Sequence, residues 1–192
     1  MIKLKELLDI NYPSVDLFSE SPLRIKSWKP DFFDSPAGNY TFTIGVKEKA
    51  KQIGLFGGFE IYEYKSGTYI INCFVTTNDS GFTVAFIQYK DIGKTCDILR
   101  VWQDAINVGL IRQIILNYYL KGKYSVVLTD NRHTELGEKC VYKLLNQAKK
   151  LGYKIFVLDN DKEKIYVDDL SLLDKYYSVG TTGLRYKFGI EK

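Results

Sequence analysis

Histidine is nearly absent from this chain: among 192 residues there is one, His133. Cysteine occurs three times, as Cys73, Cys96 and Cys140, far apart and with no C-x-x-C pair. One imidazole and three scattered thiols exclude a zinc site of ordinary spacing, and an odd set of distant cysteines excludes a disulfide framework. Both point to synthesis in a reducing interior. The DNDKEK run at 159–164 lacks the glycine and distal glutamate of a calcium loop. There is no apolar run of the ~18 residues that spans a bilayer. The opening IKLKELLDI is charged and helix-like, unlike a signal core. The expectation is a soluble chain made in the cytoplasm, with no membrane partner, no metal and no resident cofactor. A strong charge bias is missing too: 27 Lys plus Arg against 23 Asp plus Glu leave +4. The two signs alternate, which argues against a nucleic-acid-binding tail and leaves a phosphate-tracking groove as the lesser alternative.

Proline is scarce and confined. All four, Pro13, Pro22, Pro30 and Pro36, fall within 11–39, among Ser and Asp. Residues 1–39 therefore read as a short helix followed by a loop-rich arm. Its aromatic anchors, Trp28, Phe32 and Phe33, are candidates for binding a neighbouring subunit. Residues 40–192 read as one domain.

What is abundant is β-rich and aromatic text. YTFTIGV, FEIYEY, TYIINCFVTT, FTVAFIQYK and TCDILRVW are separated by KSG, TNDSG and DIGK. Short turn-rich spacing predicts an antiparallel meander over about 58–102. Gly57-Gly58 reads as a bulge or turn rather than a phosphate cradle. In VGLIRQIILNYYLKG, Val108, Ile111, Ile114, Ile115, Tyr118 and Tyr119 fall at helical spacing, with Asn107 as N-cap and Gly122 at C′. YSVVLTD predicts a strand. TELGEKCVYKLLNQAKKLG predicts a helix with Leu136, Cys140, Leu144, Ala148 and Leu151 on its inner face and Gly152 as its stop. KIFVLD, KIYVDDL and GLRYKFGI predict further strands, the last two bridged by a short helix at LSLLDKYY. A helix between two short apolar strands implies a parallel crossover. The fold class is mixed α/β.

The order of meander, helix, strand, helix and strand, with AKKLGYKIFV at a helix-to-strand junction and Asn131 after a strand, resembles the GNAT acetyltransferase superfamily over about 58–159. The resemblance implies that family's acyl-CoA chemistry, and each part can be sought by residue. Its pyrophosphate loop, Q/R-x-x-G-x-G/A, falls on INVGLIRQ, making Asn107, Val108 and Gly109 the candidate acetyl-CoA contacts. Gly109 matches the first glycine, whereas Ile106 and Ile111 replace the basic or amide residue and the small one. The tyrosine that protonates the leaving thiolate in many members falls on Ala148, and Tyr142 lies around the helix from it. Backbone amides near Arg100–Trp102 would polarise the thioester. Glu60, Glu63 and Asp97 are the candidate general bases. Two of the three parts depart from the pattern, so the expected function is a non-catalytic interaction protein on a GNAT-like scaffold. An acyl-CoA-dependent N-acetyltransferase with an atypical loop is the alternative.

TDNRHTELG also resembles acetyltransferase-like proteins encoded near the head and tail genes of tailed bacteriophages. That resemblance implies an oligomeric virion component of the neck or tail. His133, Asp130, Glu135 and Cys140 cluster in this text. They read as a polar turn, a cap, a first helical turn and a core thiol rather than as a catalytic set. KEKAK and KGK read as solvated basic faces.

Overall fold

A computed structural model describes residues 36–77, 81–129, 135–159, 163–176 and 186–192. The predicted arm with Trp28, Phe32 and Phe33, and the turn with Asp130, Asn131 and His133, lie outside the described residues. So do the side chains of Glu135 and Leu136.

Nine strands form one sheet. They are β1 (Lys51–Phe56), β2 (Phe59–Ser66), β3 (Tyr69–Thr76), β4 (Thr83–Ile92), β5 (Thr95–Gln103), β6 (Val126–Leu128), β7 (Lys154–Leu158), β8 (Lys164–Tyr166) and β9 (Lys187–Glu191). The order across the sheet is β1-β2-β3-β4-β5-β6-β9-β7-β8. β2 to β5 make the expected antiparallel meander, and β1 extends it by one more antiparallel strand. Gly57 and Gly58, with φ of 58° and 85°, supply the two-residue turn that joins β1 to β2. β1 was not legible as a strand. It is the solvent-exposed edge, so its text KQIGLF carries no buried alternation.

The stretch YTFTIGV, expected to be a strand, is instead the body of helix α1 (Pro36–Lys49). Asn39, Phe42, Thr43 and Val46 lie one helical turn apart and all four are buried. Asn39 Nδ2 donates to Thr83 O at 2.8 Å, and the Thr83 N–H is within reach of both Asn39 Oδ1 and Thr43 Oγ1. Contacts 44 residues away thus override the β preference of a Thr-rich stretch. α1 covers one face of β2–β4 through Phe42, Val46, Tyr62, Ile71, Cys73, Val75 and Phe86.

Helix α2 opens with a single α-helical turn, Leu110–Gln113, and continues as a π-helix, Ile114–Lys123. Its N-cap is Gly109 rather than Asn107. Gly122 is interior and the chain leaves at Tyr124. Val108 lies before the helix, 80% exposed, not on its inner face. α3 (Glu135–Lys150) buries Leu144, Leu145 and Ala148, with Val141 and Tyr142 beside them. Cys140 is exposed and Leu151 is 51% exposed, which corrects the predicted inner face by one position. Gly152, at φ 85°, does end the helix. The predicted short helix is a 3-10 segment, Leu170–Tyr176.

The crossover also differs in detail. β5 and β6 are adjacent and parallel. β6 and β7, on either side of α3, run in the same direction but do not touch, because β9 lies antiparallel between them. Gly189 permits this insertion. A Cβ there would stand 2.1 Å from Phe156 Cζ, so the buried Phe156 ring fills the space over the glycine.

Candidate functional site

Two irregularities in β5 define the site. The register with β4 jumps from Tyr89↔Ile98 to Gln88↔Arg100, so Leu99 is an extra residue in a β-bulge. On its other side, β5 pairs with β6 at Thr95, Cys96 and Asp97 and no further. Residues 98–103 therefore continue with no strand beside them among the described residues. Phe86 stacks on Trp102 at 6.1 Å on the α1 face, and α2 begins next to the end of β5.

The loop from β5 to α2 holds itself closed. Asp104 Oδ1 accepts the Asn107 N–H at 2.8 Å, and the Asn107 side-chain amide donates to both Asp104 oxygens at 2.9 Å. The Leu110 N–H donates to Asn107 O at 3.0 Å. The Ile111 N–H donates to Gln103 Oε1 at 3.1 Å. Gly109 sits at φ 88°, and Arg112 folds back over it. Arg112 Nη2 is 2.8 Å from the place of a Gly109 Cβ, and its Nε is buried without a partner among the described residues. Ile106 and Val108 face solvent at 90% and 80% exposure. Amide hydrogens at a helix start would receive a pyrophosphate. Here the Ile111 amide is taken by Gln103, and the Asn107 amide in the loop before the helix by Asp104, whose carboxylate stands at the entrance.

The predicted site residues do not converge. Asn107, Val108 and Gly109 do share this loop. Glu60 and Glu63, three apart on β2, point to opposite faces, and Asp97 lies three strands away, about 14 Å at ordinary strand spacing. Each has a cation nearby. Lys47 is 3.9 Å from Glu60, Lys65 and Lys123 are 2.9 and 3.8 Å from Glu63, and Lys187 is ion-paired with Asp97. Glu60 also accepts the Tyr62 hydroxyl at 3.0 Å. Burial first, and then Glu60, hold the Tyr62 phenol above its usual range. Ala148 is fully buried and carries no acid, and the Tyr142 hydroxyl donates to Leu170 O. Asp104, Gln103 and Arg112 went unread in the sequence. The cue was the polar pair following VW, separated from INVGLIRQ by one residue.

No group of three His, Cys, Asp or Glu suited to a metal occurs among the described residues, and no described helix is long and apolar enough to cross a membrane.

No family model and no curated protein matches the chain. Among solved structures, it is similar to a Bacteroides thetaiotaomicron protein described as a candidate acetyltransferase of the GNAT family. The TM-score is 0.38 and the identity 12%, over 79% of each chain. At that TM-score the likeness adds nothing to the topology already described. The mixed α/β architecture, with its antiparallel meander, parallel β5–β6 pair and two later helices, is GNAT-like in its element order.

Proposed function

We propose that this chain is a non-catalytic interaction protein that uses a GNAT-like scaffold to associate with other protein subunits. The observation that carries this reading is the self-closed start of α2. Gln103 and Asp104 occupy the Ile111 and Asn107 amides that a CoA pyrophosphate would need. Displacing the Asp104 carboxylate would break charge-assisted bonds worth roughly 1.5–3 kcal/mol each and would bring a second anion to the same place. Separately placed acids and a buried Ala148 in the acid's position support the same reading. The resemblance of residues 129–137 supports reading that assembly as the neck or tail of a tailed-phage particle, and mass spectrometry of purified virions tests it by detecting the chain there. Calorimetry with acetyl-CoA tests the main reading. No binding at millimolar ligand is expected, and micromolar binding would overturn it.

The alternative, an acyl-CoA-dependent N-acetyltransferase, is favoured by one observation, the Leu99 bulge beside the departure of β6. Together these turn backbone groups of β5 toward open space, where they could polarise a thioester. Gly109→Trp would abolish acetyl-CoA binding under that reading.

A further inference from the structure

The vacated side of β5 has a definite hydrogen-bonding pattern. The Asp104 N–H donates to Val84 O at 2.9 Å, and Ala85↔Gln103 places 84 opposite 104. Alternation along an antiparallel pair then turns the backbone groups of Trp102 and Arg100 toward β4 and those of Val101 and Gln103 away from it. The side they face is the one β6 leaves after Asp97. Val101 is 45% exposed, and Ile106 and Val108 follow in the adjoining loop, more exposed still. A strand edge flanked by solvent-facing aliphatic side chains is a template for an added strand.

The chain itself holds a segment suited to it. Thirty-five residues precede Pro36, including the aromatic run Trp28, Phe32 and Phe33. α1 is bound at Asn39 to Thr83, two residues before the partner of Gln103, so α1 begins at the same end of the sheet as the vacant edge. Extended, the eight residue steps from Trp28 to Pro36 span up to ~27 Å, enough to reach an adjoining molecule. Val101, Ile106 and Val108 are open to solvent among the described residues. Resting on the interaction-protein reading, we infer that the segment around residues 28–35 of a second copy adds as a strand along β5 at Val101. Its aromatic side chains would cover Val101, Ile106 and Val108.

Sedimentation velocity on the full chain, over a range of concentrations, tests this. The expected result is a concentration-dependent oligomer. Both the V101K/I106D chain and the W28S/F32S/F33S chain should raise the dissociation constant about tenfold or more, with circular dichroism unchanged. Mixing the two variants should restore association, because one retains the segment and the other the edge. A monomer at every concentration overturns the inference. An oligomer weakened by the aromatic changes alone overturns the Val101 site and leaves an arm-mediated assembly standing. Should the V101K/I106D chain fail to fold, Val108→Asp in the exposed loop provides the same readout. Acetyl-CoA binding is measured separately, so a failure of the non-catalytic reading is distinguishable.

Discussion

Gln103 and Ile111 are joined across the β5–α2 turn: the side-chain oxygen of the last β5 residue takes the second amide of α2, at 3.1 Å. This bond occupies the second amide of the helix start, where an anion would approach. Freeing it and removing the neighbouring charge, as in Q103A/D104N, should expose the amides. We expect acetyl-CoA or inorganic pyrophosphate to gain measurable calorimetric heat in the double variant and to show none in the parent. Equal heats would show that the closure is not what governs access.

Gly189 and Phe156 set a steric test. Ring atoms of Phe156 would lie 2.1–2.5 Å from an alanine Cβ at 189. Both β9 and β7 are central, so neither can move away cheaply. Gly189→Ala should destabilise the fold by at least ~3 kcal/mol, the upper end of ordinary overpacking. In that background Phe156→Leu should recover part of the loss, and a urea midpoint series would measure both.

Beneath the π-helix, the Tyr119 hydroxyl donates to Asn72 Oδ1 at 2.9 Å, and both residues are buried. Asn72 Nδ2 has no partner among the described residues. Tyr119→Phe strands the remaining polar atom and should cost about 1–3 kcal/mol. Y119F combined with N72L should be less destabilised than Y119F alone, because an apolar pair needs no hydrogen bonds. Chemical denaturation of the four chains of the cycle would decide.

Alkaline stability follows from Tyr89, Tyr119 and Tyr124, whose rings pack together at 5.3–5.9 Å. Burial, first among the causes, pushes all three phenols well above their ordinary range. A folded-state pKa above the unfolded one means the folded chain holds its protons longer. The stabilisation is complete below the unfolded value of about 10 and is lost as pH rises beyond it toward the folded values. The buried three should ionise only together with unfolding. Tyrosinate absorbance followed alongside circular dichroism reads both.

At the acid end, Glu191 is held below the usual glutamate range by its bond with Lys164 and then by the Tyr166 hydroxyl. Its stabilisation is present above the unfolded value of about 4.3 and is lost as pH falls through the depressed folded one. Lys164→Met should therefore reduce the drop in Tm between about pH 5 and 3. A drop of unchanged size would assign the acid sensitivity to other groups.

The sequence by itself determined the meander, the order of α2, β6, α3 and β7, and the turns at Gly57-Gly58 and Gly152. Those depend on local periodicity and on glycine conformations that neighbouring residues announce. Tertiary structure alone decided the rest. A Thr-rich stretch became α1 because Asn39 and Thr43 are held by Thr83, on a strand forty residues away. β9 entered between β6 and β7 because Gly189 leaves room for Phe156. Cys140 turned outward because Leu144, Leu145 and Ala148 set the buried stripe of α3. The closed loop at INVGLIRQ, which bears most on function, depends on side chains of Gln103 and Asp104 folding back onto later amides. No periodicity in the chain records where such side chains point.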